Sequence, residues 1–195
     1  MEGMTTPGDP LTSPLQAVVG EVEGHVAEAG WDQPPQLFAL VPTEQLLRTE
    51  PQLASTMGLV AGDPSSLTPI AQEPFGEGPL DEQLASLVFG DEVLGVVLVH
   101  EVLVLPPSAE ASLEDLDDPA AAAADHPERR EVRMAVAVVR GGGSACVLRV
   151  RGQVLDGAAA GADPADPGRG EDERVTGPDL APALVAALAA TLDDV

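Results

Sequence analysis

Residues 129–152 read RREVRMAVAVVRGGGSACVLRVRG, two alternating runs joined by a triple glycine. Apolar residues at every second position predict two paired strands, and Gly141 to Gly143 predict the turn between them. If Arg140 faces Ser144 at the turn, Val138 opposes Cys146, Val136 opposes Leu148 and Met134 opposes Val150 on one apolar face. The other face then carries Arg133 opposite Arg151 and Ala135 opposite Arg149. Six of the nine arginines fall in this segment, which with Glu131 sums to +5 in a chain of net charge −24, leaving −29 for the rest.

Like charges facing each other across a ladder cost energy unless something anionic lies between them. Two resolutions stand open. Arg133, Arg149 and Arg151 meet an external anion, such as a carboxylate, a phosphate or an acidic peptide. Alternatively, Glu101, Glu131 or one of the acidic tracts supplies the counter-charge from within.

Outward from the hairpin, Val93 to Leu105 reads as a central strand, apolar on both faces. QLFALV, ending at Val41, and LTPIAQE, beginning at Leu67, read as two more strands, with Pro69 placing the second at an edge or a start. Helices are expected at three places. The first opens with Ser13 as N-cap, Pro14 at the first helical position and Gln16 completing a capping box; Leu15, Val18, Val19, Val22 and Val26 form its stripe, and Gly30 ends it. Gly20 and Gly24 on one side of this helix either admit a close neighbour or are merely tolerated. The second runs from Leu80 to Val88, after short helical turns over 43–57 that Pro51 interrupts. The third is capped by Asp179 and carries Ala181, Leu184, Val185, Leu188 and Leu192 on one stripe.

Strands that follow strands without helical crossovers predict an α+β fold, an antiparallel sheet of about five strands flanked by N-terminal and C-terminal helices. Residues 1–11 read as an unstructured lead, and 12–195 as a single α+β domain. Two acidic, Ala- and Pro-rich tracts, 106–128 and 152–177, read as disordered insertions; Pro119 and the acid density favour a solvated loop over a helix at the alanine run 120–124.

The core must be built from Val, Leu and Ala, since the chain holds one Trp, three Phe and no Tyr. Absent lysine and asparagine fit a GC-rich genome or a halophile. Strong acidity argues against nucleic-acid backbones and anionic lipid as partners. One cysteine excludes an intramolecular disulfide and a CxxC metal site. No signal peptide is evident, and the longest apolar run is broken by His100-Glu101, so the expected location is cytoplasmic with no transmembrane segment.

The candidates for chemistry are few. His100 and Glu101 are adjacent on a strand and point to opposite faces, so they cannot serve one substrate atom; His100 is expected to be buried and hydrogen-bonded. His25 lies on the polar side of the first helix and His126 in the acidic loop, a spacing that makes no zinc site. Cys146 falls on the core face. Gly141 to Ser144 join two strands instead of leading into a helix, unlike a phosphate-cradling loop. Asp115, Asp117 and Asp118 lack the glycine and glutamate of a calcium loop. Trp31 is expected to plug the end of the first helix. No catalytic residue, metal or cofactor is assigned.

The blocks HVAEAGWDQPPQLFALVPTEQLL, LTPIAQE, GVVLVHEVLVLPP, HPERREVRMAVAVVR and GPDLAPALVAALAATL resemble successive parts of an uncharacterised protein family of actinobacteria, over about residues 13–193 but skipping the second acidic tract. That resemblance implies lineage and compartment and no catalytic residue. The element order is also similar to the type III secretion chaperone-like fold, whose members bind proteins, often as dimers; this is an analogy of architecture. The reading that results is a non-catalytic, chaperone-like or adaptor module, whose basic hairpin face, through Arg133, Arg149 and Arg151, meets an unidentified acidic protein partner. A binder or enzyme for a small anionic ligand using the same arginines is the alternative. A structural homo-oligomer, such as a homodimer, is the third.

Overall fold

The computed structural model describes residues 12–105, 109, 118–152, 172–178 and 180–192. The helices are α1 (Thr12–Glu28), α2 (Thr43–Thr49), α3 (Pro51–Thr56), α4 (Leu80–Ala85), α5 (Pro119–Ala124) and α6 (Pro182–Ala190). The strands are β1 (Gln36–Pro42), β2 (Leu67–Ala71), β3 (Gly95–Val104), β4 (Arg130–Val139), β5 (Ser144–Val150) and β6 (Glu173–Gly177). All six pair antiparallel in one open sheet of order β2-β1-β3-β4-β5-β6.

The α+β class and the five expected strands are present, and a sixth is added. β6 lies inside the tract 152–177, where composition alone suggested disorder; its pairing with β5 gives ERVTG a partner that a local reading does not supply. The tract 106–128 likewise holds α5, a correction to the expected loop. Pro119 occupies the first helical turn and the Asp118 carboxylate accepts from the Ala121 N–H at 3.0 Å, so both features that argued against a helix start one. α1 begins at Thr12, one residue ahead of the expected cap at Ser13. α6 is preceded by Ala181, and the expected cap Asp179 lies outside the described residues.

β3 is central because its residues are apolar on both sides, and each side has its own cover. Val97 and Val99, with Phe38, Leu40, Ala135, Ala137, Ala145 and Val147, form a first face under the α1 stripe. Val96 and Leu98, with Leu37, Ala39, Val136, Val138 and Cys146, form a second face under α4 and α6, where Leu84, Leu188 and Leu192 pack. Cys146 is fully buried, as its place on the ladder implied.

The hairpin register differs from the expected one by two residues. Val138 opposes Ser144, Val136 opposes Cys146, Met134 opposes Leu148, and Arg133 opposes Arg149, not Arg151. The cause is Arg140, which leaves the ladder and joins the turn. Its N–H donates to the Leu94 carbonyl at 2.8 Å, and its guanidinium donates to the carbonyls of Val93 (3.0 Å), Phe89 (2.7 Å), Gly90 (3.2 Å) and Leu192. Gly141 and Gly142, at φ 92° and 99°, then close a loop four residues long. A two-residue slip preserves the alternation, so every side chain keeps its expected face.

Two glycines test this packing. A Cβ at Gly95 would run into the Val138 carbonyl and sit 2.7 Å from a Val139 methyl, whereas one at Gly24 meets nothing within 4 Å. Gly95→Ala should lower stability by about 1–3 kcal/mol through overpacking. Gly24→Ala should raise it by up to about 1 kcal/mol through helix propensity. Chemical denaturation of both variants reads the contrast.

Candidate functional site

Beneath the C-terminal half of α1 the first sheet face carries an ionic cluster beside its aliphatic residues. Arg133 on β4 is 1% exposed, and Glu23 on α1 is fully buried. Glu23 takes a two-pronged hydrogen bond from Arg149, Nε to Oε1 at 2.6 Å and Nη2 to Oε2 at 2.8 Å. Arg133 stands at 4.0 Å from the same carboxylate and Arg174 of β6 at 3.5 Å. Arg133 also donates to Glu101 Oε1 through Nε at 3.0 Å and Nη2 at 2.7 Å, and to the Gly30 carbonyl. The hydrogen bonds from Glu23, before any other cause, hold the Arg149 guanidinium above its ordinary pKa; burial opposes them.

The cluster continues around Trp31. Arg133 lies over the indole at 4.6 Å and Arg151 at 5.4 Å from its centroid. Arg151 pairs with Glu131 and, at 3.5 Å, with Asp32. The Trp31 N–H donates to Asp172 Oδ2 at 3.1 Å, while the Gly152 N–H donates to Oδ1 of the same carboxylate at 2.8 Å. Glu101 Oε2 accepts from the N–H groups of Asp32 (2.8 Å) and Gln33 (3.3 Å), in a turn where Asp32 has φ 67°. Trp31 thus does more than plug the end of α1: it is the flat surface against which two guanidinium groups rest.

Four arginines (133, 149, 151 and 174) therefore meet five carboxylates (Glu23, Asp32, Glu101, Glu131 and Asp172). Of the counter-charges foreseen, Glu101 and Glu131 are in place, and Asp172 comes from the second acidic tract. Glu23 was missed, and it is the deepest. Its sequence signal is its spacing: it lies four residues after Val19 and eight after Leu15, inside the apolar stripe of α1. Gly20 belongs to the same arrangement, because a Cβ there would sit 3.0 Å from Arg174 Nη2, which donates to the Gly20 carbonyl at 3.3 Å.

The remaining candidates are scattered. His100 and Glu101 do point to opposite faces. His100 is half-buried on the second face beside Met134, and its Nδ1 is enclosed with no hydrogen-bond partner among the described residues, contrary to the expected bonded state. Burial lowers its pKa from the usual 6.5, and the Glu101 charge opposes that only in part. His25 is exposed beside Glu28, and the His126 Nδ1 accepts from the Glu128 N–H at 3.1 Å. Among the described residues no three His, Cys, Asp or Glu side chains are grouped to hold a metal, and no helix is long and apolar enough to cross a membrane. A cleft of about 300 Å³ lies between α1 and residues 63–67, and Glu21 and Asp63 are its charged lining. It contains none of the arginines.

Removing one member of a buried ion network leaves the others uncompensated. Glu23→Gln should cost about 3–5 kcal/mol, measured by urea unfolding. The neutral His100 gives a second test. The unfolded chain takes up its proton near pH 6.5 and the folded chain only at lower pH, so stability falls as pH drops below 6.5 toward the folded value. His100→Leu should flatten that part of the stability profile relative to wild type; parallel profiles would contradict the assignment.

No curated protein and no solved structure matches the chain. One protein-family profile, described as PPA1309-like protein, matches residues 15–193. That span takes in both covered faces of the sheet and the ionic cluster. The chain belongs to the PPA1309-like protein family.

Proposed function

We propose that the protein is a non-catalytic protein-interaction module, chaperone-like or adaptor in kind. Its docking surface is the part of the second sheet face beyond α4 and α6, and its partner presents an apolar segment flanked by acidic side chains. The observation that carries this reading is an apolar patch on one face of four adjacent strands. Val104 is 41% and Val175 40% exposed, next to the half-buried Val102, Met134, Leu148 and Val150. Patches of contiguous exposed apolar residues mark sites of association more often than isolated ones do.

The charge at the rim supports the acidic character of the partner. Arg130 lies opposite Val104 at the end of β4, and it and its neighbour Arg129 are exposed, with no carboxylate partner among the described residues. By contrast, Arg133, Arg149 and Arg151 lie on the other face with carboxylates already against them. In this reading those three brace α1 and the hairpin, and the two rim arginines steer the partner. The likeness of element order to the type III secretion chaperone-like fold is a supporting analogy.

Affinity capture with matched variants tests the assignment. A partner bound by the wild-type chain should be lost with Val104→Glu/Leu148→Glu, weakened in a salt-dependent way by Arg129→Glu/Arg130→Glu, and retained by Arg151→Gln. Retention by the face variant together with loss in Arg151→Gln would return the docking role to the arginine cluster.

A further inference from the structure

The sheet ends in two unlike edges. Along an antiparallel strand the main-chain groups alternate in direction, so a few hydrogen bonds fix which residues face outward. On β1, the Leu40 carbonyl accepts from Leu94 of the segment entering β3, and the Leu37 carbonyl accepts from Gln72 beyond β2, both at 2.9 Å. Odd-numbered residues of β1 therefore turn to β2, and their partners Thr68 and Ile70 bond inward. Leu67, Pro69 and Ala71 are left facing out. Pro69 has no N–H and stands in the middle of that outer row, so β2 is a blocked edge.

β6 is not blocked. The Arg151 N–H donates to the Glu131 carbonyl at 2.8 Å and the Val139 N–H to the Gly143 carbonyl at 2.9 Å, so odd-numbered residues on this side of the hairpin face β4. Cys146, Leu148 and Val150 face β6, and their partners Gly177, Val175 and Glu173 bond inward. The N–H and C=O groups of Arg174 and Thr176 remain on the outer edge, where no described residue takes them, and no proline interrupts the row. Every residue of β6 before Gly177 is exposed.

We propose that β6 pairs with β6 of a second copy of this chain, antiparallel about a two-fold axis through Val175, to make one continuous sheet. In that register Arg174 of one copy exchanges two main-chain hydrogen bonds with Thr176 of the other, and the symmetry repeats them. Directly opposed side chains carry no like charges: Glu173 faces Gly177, Arg174 faces Thr176, and the exposed Val175 meets itself. Arg174 keeps its contact with Glu23, because only its main chain is used. An isologous contact of this kind closes on itself and stops at two copies, since the β2 edge is blocked. The argument uses the strand edge and stands apart from the docking reading of the sheet face. The dimer would carry that face in duplicate on one side.

Sedimentation velocity on the full chain, over a wide range of concentration and at low and high salt, tests the pairing. The wild type should sediment as a monomer–dimer equilibrium that strengthens with salt, because each copy carries a net charge of −24. Thr176→Pro removes one outward N–H without touching the β5–β6 ladder, and Val175→Glu opposes two carboxylates on the axis; both should be folded by circular dichroism and monomeric. Thr176→Val keeps the N–H and should still dimerise. A wild type that stays monomeric under all conditions overturns the proposal. So does a dimer that survives in Thr176→Pro and Val175→Glu alike.

Discussion

A carboxylate with no access to water governs this fold. Glu23 projects from the apolar stripe of α1 onto the sheet, where it is fully buried and within reach of Arg133, Arg149 and Arg174. A buried charge is tolerable only when opposite charge and hydrogen bonds replace its water. Three strands supply that replacement at once: β4 and β5 by arginines directly opposed in the ladder, and β6 by Arg174. Glu23 in turn relieves the repulsion between Arg133 and Arg149. Either half alone would leave buried charge uncompensated, so the ion network ties the end of α1 to one place on the sheet.

The two faces divide the work of holding the sheet. On the first, α1 is anchored by aliphatic packing at its start and by ion pairs toward its end, with Trp31 and Asp172 closing the cluster. On the second, α6 is held by Leu188 and Leu192 and by Arg140, whose guanidinium gathers carbonyls from both the approach to β3 and the end of the helix. Among the described residues Arg140 donates to backbone carbonyls, whereas Arg133, Arg149 and Arg151 each meet a carboxylate.

Much of the fold was legible because it obeys local periodicity. The alternation in β4 and β5, the doubly apolar β3 and the stripes of α1 and α6 each specify a face, and the observed faces agree. Of the edge or start that Pro69 signalled, the edge holds, since Pro69 lies in the middle of the edge strand β2. The features that escaped are those set by distant partners. β6 is a strand because β5 lies beside it, and nothing in ERVTG demands that alone. The register moved by two residues because Arg140 found carbonyls about fifty residues away in sequence. α5 was obscured by reading Pro119 and the density of acids as signs of a loop, when Pro119 and Asp118 serve as first turn and cap. At the candidate site, composition exposed the arginines but not their company. Glu23 looks like one of many acids until its place in the stripe is counted.

The cationic hairpin thus reads as a concentration of charge answered from inside the molecule, which moves attention to the part-exposed apolar residues of the second face and to the outer edge of β6, where no described strand pairs. The central claim is that the arginines are paired in the free protein, with no ligand needed. Nitrogen-detected NMR of the arginine Nε–H groups tests it most directly. Paired guanidinium groups should give separate, slowly exchanging signals for Arg133 and Arg149 in the isolated chain, unchanged by added phosphate or acidic peptide, while Arg129 and Arg130 exchange fast. Averaged signals for Arg133 and Arg149 that become resolved only when an anion is added would contradict the account.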